Sequence, residues 1–107
     1  MLIVTTPYVM GKNVLEYKGP VFAQVTRGIG AIRSLAATWQ SMTGDRSKGQ
    51  EQSIIEIREI ALKEIEENAQ SLGANAIIGL DIDIEIITQN NITILLCKAY
   101  ATAVVLD

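Results

Sequence analysis

The 107 residues, about 11.6 kDa, suit one domain spanning 1–107 and leave no room for a second core of ordinary size. Twelve acidic residues against nine basic ones give a formal charge of −3, so the positive field that holds a phosphate backbone is missing and nucleic acid is not an expected partner. With no histidine, a single chain cannot build a serine triad, a cysteine–histidine pair or a histidine-ligated zinc site.

Residues 2–6 are short, apolar and β-branched, and Pro7 ends them by removing a backbone donor, which predicts a brief first strand. A second strand is predicted over 14–27. It is broken at Gly19-Pro20, where a bulge or an edge position tolerates a missing N–H. Ile32, Leu35, Ala36, Trp39 and Met42 recur at helical spacing after Gly28-Ile29-Gly30, predicting a short helix over 31–42. Trp39 in that stripe reads as core or subunit contact before ligand platform. Residues 44–49 concentrate glycine and charge without an apolar anchor and read as a solvated, mobile loop.

The clearest helix is predicted over 53–72. Ile54, Ile57, Ala61, Ile65, Ala69 and Leu72 form one stripe, widened by Ile55 and Leu62. Ser53 and Glu56 have capping-box spacing, although an earlier start is compatible, and Gly73 stands where a left-handed residue would stop the helix.

The last third predicts a hairpin, with strands over 76–88 and 92–106 about the turn Asn90-Asn91. A two-residue loop pairs Ile78 with Ala103, Leu80 with Ala101, Ile82 with Ala99, Ile84 with Cys97 and Ile86 with Leu95, an apolar face throughout. Asp81 then faces Tyr100, Asp83 faces Lys98 and Glu85 faces Leu96, whereas a slip of one residue would turn acids into the core. The small row Cys97, Ala99, Ala101, Ala103 leaves room for the long helix. The fold class is α+β: a mainly antiparallel sheet with one short and one long helix packed on one face.

Asp81, Asp83 and Glu85 project to one side at i, i+2 spacing, roughly 7 Å apart. Carboxylate oxygens suit hard cations, so the row is the candidate metal site, to be completed by symmetry-related copies because one strand cannot close a coordination sphere. The plainer reading is a polar outer face with Lys98 neutralising Asp83. Cys97 reads as a small buried hydrophobe before a soft-metal ligand or redox thiol, since no second ligand is visible. Arg46, Ser47 and Lys48 could hold an anion or meet a partner near a helix N-terminus, or serve only as connector. The glycines fail as nucleotide motifs, because Gln50-Glu51 follow Gly49 where a phosphate loop has Lys and Ser or Thr, and Arg33 stands where a dinucleotide fingerprint has its third glycine.

A mean hydropathy of +0.26 at this length exceeds what a single core hides and points to self-association. The most apolar segment, 92–106, contains Lys98 and is shorter than the roughly 20 residues of a spanning helix. No membrane partner is expected. No basic region precedes Leu2-Ile3-Val4, and the lone cysteine forms no internal disulfide, so a cytoplasmic location is expected.

Thr5-Thr6-Pro7, Glu16-Tyr17-Lys18-Gly19-Pro20-Val21 and Gly44-Asp45-Arg46-Ser47 lead to Leu72-Gly73-Ala74-Asn75-Ala76-Ile77-Ile78-Gly79, followed by Asp81-Ile82-Asp83. Together these segments resemble the small bacterial YbjQ-type family over nearly the whole chain. The resemblance implies a cytoplasmic, dodecin-like α+β subunit in a closed homo-oligomeric ring, a pentamer, under a family label of "putative heavy-metal-binding". Asp45 departs from a common second glycine in the Gly-Gly-Arg-Ser loop, and Gln50 from a frequent tyrosine. The primary expectation is a non-enzymatic oligomer that binds a metal cation or small ligand at subunit junctions through Asp81, Asp83 and Glu85. The alternatives are a ring module presenting the 44–49 loop to a protein partner, and an enzyme acting on an anionic metabolite through Arg46 and Lys48.

Overall fold

The computed structural model describes residues 1–29 and 46–107, and for Ile29 and residues 46–50 the backbone only. The helix expected over 31–42, Trp39 included, lies outside the described residues. The elements are β1 (Leu2–Ile3), β2 (Val14–Ile29), α1 (Arg46–Ser71), β3 (Ala76–Gln89) and β4 (Ile92–Leu106). They make an α+β unit in which four strands lie in the order β1-β3-β4-β2. β1 runs parallel to β3, and the other pairs are antiparallel. Among the described residues α1 is the one helix, and it is not long and apolar enough to cross a membrane.

Residues 2–6 keep only two residues in the ladder, Leu2 and Ile3. Val4 adds one more backbone bond, donating to the Ile77 carbonyl at 2.9 Å. β2 runs as predicted, slightly beyond residue 27. It has register shifts at Val14/Glu16 and Tyr17/Gly19, and Pro20 stands on the sheet edge where its missing N–H leaves no gap in the ladder.

α1 begins at Arg46, seven residues before the expected cap, so residues 46–49 belong to a helix and not to the loop read over 44–49. Ser53 is consequently a buried interior residue rather than an N-cap. The physical reason is cooperativity. Once the apolar stripe anchors the helix, Arg, Lys, Gln and Glu propagate it backwards at little cost, and Gly49 subtracts only about 1 kcal/mol. The C-terminus follows expectation: the helix ends at Ser71 and Gly73 has φ +84°.

Ile57, Ala61, Ile65 and Ala69 are fully buried against Val21 and Ala23 of β2 and Cys97, Ala99, Ala101 and Ala103 of β4. Small side chains on both surfaces let the helix backbone approach the sheet. Ile57 and Ile65 each contribute roughly 1.5–3 kcal/mol by leaving water. Leu72 and Ile55, assigned to this stripe by periodicity, are exposed at its margin, and Ile54 and Leu62 are half-buried.

The hairpin turn is as expected. Asn90 and Asn91 have φ 51° and 63°, and every pair from Asp81↔Tyr100 to Gln89↔Ile92 has the predicted register. Before Asp81 the register is shifted by one: Ile77 pairs with Ala103 and Ile78 with Thr102, which overturns the predicted pairs Ile78–Ala103 and Leu80–Ala101. The cause is a bulge at Gly79-Leu80, with Gly79 at φ +64°. Upstream of it Ile77 faces α1, while Ala76 and Ile78 turn to the other sheet face and form a second cluster with Val104 and Leu106.

Residues 4–13 cover that second cluster, with Val4 and Val9 packed on it and Val14 of β2 beside them. The bulge supplies their anchors: Gly79 N–H donates to the Thr6 carbonyl at 2.8 Å and Leu80 N–H to the Val4 carbonyl at 3.1 Å. At the far end the Asp107 carboxylate accepts from Asn13 N–H at 3.0 Å and Asn13 Nδ2 at 3.2 Å, and Lys12 Nζ reaches the Asp107 carbonyl at 3.3 Å.

Two outcomes are expected. Gly79→Val meets no atom of the described residues, so its cost is backbone strain of about 1–2 kcal/mol, whereas Gly28→Val, equally without a clash among the described residues but at an ordinary φ, is near neutral; urea unfolding midpoints of both variants check this. The Asn13 amide bond holds the Asp107 carboxyl below the usual carboxylate range. Because the folded value is the lower one, this contribution is complete above the ordinary range and is lost as pH falls through the depressed value. An NMR pH titration of the Asn13 amide should show its midpoint below that of an unfolded-chain aspartate.

Candidate functional site

Alternation along β3 carries Asp81, Asp83 and Glu85 out on the face opposite α1, while Ile82 and Ile84 pack against the helix-side core. All three acids are exposed. The register sets them beside Tyr100, Lys98 and Leu96 of β4, and the next strand over adds Phe22 opposite Tyr100. Tyr17, opposite Val104, lies on the same face. This face leaves large side chains in water: Tyr17 is 69% exposed, Phe22 65% and Tyr100 46%.

The carboxylates have different partners. Tyr100 Oη donates to Asp81 Oδ2 at 2.7 Å. That bond, followed by the charges of Asp81 and Asp83, raises the Tyr100 phenol above its ordinary value, because it stabilises the protonated donor. Lys98 Nζ contacts Glu85 Oε1 at 3.4 Å, a diagonal ion pair in place of the expected one with the directly opposed Asp83. A flexible four-carbon stem reaches a diagonal neighbour as readily as an opposite one. Between these two, Asp83 makes no hydrogen bond or ion pair among the described residues.

Cys97 is on the other face, fully buried in the helix-side core between Val25 and Ile84 on the flanking strands. Burial raises its thiol pKa, opposed in part by the charge of Arg58. Arg46, Ser47 and Lys48 form the first turn of α1, so they and the acid row belong to different elements. No group of three His, Cys, Asp or Glu side chains able to hold a metal ion occurs among the described residues. With one cysteine and no histidine, one chain does not supply the paired thiolates or imidazoles that hold a soft heavy metal.

A further concave feature was not legible in the sequence. Arg27 at the end of β2 and Glu56, Glu59, Ile60 and Lys63 of α1 line a shallow, open groove of about 330 Å³. The Arg27 guanidinium pairs with the Glu56 carboxylate across its floor. The two residues are 29 apart, on different elements, and no spacing rule connects them. With two cations and two carboxylates the groove has no net charge to offer a ligand.

Comparison with known proteins is consistent over the full length. The profile of the YbjQ family, described as "Putative heavy-metal-binding", matches residues 1–107. A UPF0145 protein of Clostridium kluyveri is 45% identical over 107 residues, covering 100% of both chains. A UPF0145 protein of Listeria ivanovii is 40% identical over 107 residues, covering 100% of this chain and 96% of its own. A crystal structure from Pediococcus pentosaceus, of a protein with unknown function in the DUF74 family, superposes with a TM-score of 0.68 at 18% identity. It covers 100% of this chain and 98% of that one, a likeness of fold.

Asp81→Asn removes the charged acceptor from Tyr100. Ultraviolet pH titration of the three tyrosines should then lose its late-titrating phenol, with Tyr100 moving down towards the ordinary tyrosine range.

Proposed function

The chain belongs to the YbjQ family, and from that membership and the face just described we propose that it is a non-enzymatic, self-assembling binding protein whose ligand is a cation held by carboxylate oxygens at subunit junctions. The observation that carries this reading is the coincidence, on one sheet face, of an exposed acid row with exposed aromatic side chains. Asp83 makes no hydrogen bond or ion pair among the described residues, and Tyr17, Phe22 and Tyr100 leave large aromatic side chains in water on that face. A second copy laid on this face removes that surface from water and brings a second acid row to the first.

The chemistry follows from ligand number. Calcium takes six to eight oxygens and manganese is likewise satisfied by carboxylate and water, whereas carboxylates roughly 7 Å apart on one strand cannot converge on one ion. Rows from several copies meeting about a common axis supply the missing donors, and Asp81, Asp83 and Glu85 are the residues that would hold the cation. A closed ring places every row in the same environment, and five copies is the number that the family resemblance implies.

The test joins mass and metal content. Native mass spectrometry should give a closed oligomer, and elemental analysis after loading with calcium or manganese should find metal retained by the wild type. Asp81→Asn/Asp83→Asn should lose retention at least roughly tenfold, since ligand charge count sets affinity at such sites. A solitary particle, or equal metal content in both proteins, rejects the reading.

A further inference from the structure

We infer that the heavy-metal description of the family does not extend to thiolate chemistry in this chain, and that Cys97 is a sequestered packing residue with no ligand role. The donor count is chain-wide: one cysteine and no histidine in 107 residues. A soft ion held with any strength needs at least a second thiolate, thioether or imidazole beside the first, and neither Met1 nor Met10 belongs to the cluster around Cys97.

An additional thiolate or imidazole could come only from another copy, and the fold closes that route. Cys97 is 0% exposed and clustered with the α1 stripe of Ile57, Ala61 and Ile65, so its own helix covers the sulfur. Val25 and Ile84 stand at the paired positions on either side. The nearest acids in register, Asp83 and Glu85, project from the opposite face of the sheet, separated from the thiol by the sheet itself. The thiol is also harder to ionise than usual because of burial, and only the thiolate binds metal or attacks a reagent. The position is explained by packing alone. In the row Cys97, Ala99, Ala101, Ala103 every side chain is small, and sulfur fills slightly more space than a methyl where the facing helix presents Ala61 between two isoleucines.

Native protein treated with an aromatic disulfide reagent should react at least roughly a hundredfold more slowly than the unfolded chain, because access requires opening of the helix–sheet core, and should release one equivalent per chain on unfolding. Cadmium added to native protein should produce no thiolate-to-cadmium charge-transfer band in the ultraviolet. Cys97→Val, close in volume and with no thiol, should match the wild type in metal retention, and Cys97→Ala serves as a second variant if the branched side chain perturbs folding. A charge-transfer band in native wild type that is absent from Cys97→Val overturns the inference, as does rapid native modification. Cadmium retained without that band, unchanged in Cys97→Val and lost in Asp81→Asn/Asp83→Asn, supports it while locating the ion on carboxylates, so the result separates this inference from the proposed function.

Discussion

A single extra residue in β3 governs what the two sheet faces can do. The bulge at Gly79-Leu80 turns the strand over, so that Ile77 and Ile82, five positions apart, both face α1, while Ala76 and Ile78 are released to the other side. The Gly79 and Leu80 amides donate to the carbonyls of residues 6 and 4 and tie the N-terminal segment across the released side chains. One irregularity thereby makes a second apolar cluster, fixes the path of the first fourteen residues, and limits the covered part of the outer face to its beginning. Beyond the bulge the same face leaves its side chains exposed, and that is where the carboxylates, Phe22 and Tyr100 stand.

What could be read from the linear chain divides along a physical line. Local periodicity and turn chemistry are self-contained, and so the Asn90-Asn91 turn, the register from Asp81 onward and the core stripe of α1 were all legible. Phase errors are not self-contained. Ala76-Ile77-Ile78 is apolar at every position and offers no alternation to betray a slip, so nothing local interrupts the pairing rule at the glycine. The start of α1 departs from its sequence signal for a related reason: a cap signal at Ser53 competes with good helix formers upstream, and tertiary anchoring decides the outcome. The parallel placement of β1 depends on a contact between residues more than seventy apart, which no local signal carries.

For the candidate site the division is similar. Which side chains share the outer face followed from alternation, and burial of Cys97 from its partner in the register. The internal partners of the acids did not follow, because a lysine stem and a tyrosine ring choose among neighbours by reach and competition, which register alone does not rank. The Arg27–Glu56 pair, joining a strand end to a helix, was out of reach for the same reason as β1.

Strand order has a consequence for biosynthesis. β4, the central strand that joins β2 to β3, is made after both of them, so β2, sixteen residues of strand made early, has no ladder to enter until the chain has been extended through the Asn90-Asn91 turn. Until then the nascent chain holds a long unsatisfied template of amides and carbonyls, and the contacts that quench it are remote in chain order. The polypeptide is thus most vulnerable to wrong association before β4 is made, and the bulges and proline early in β2 disrupt that template during the interval.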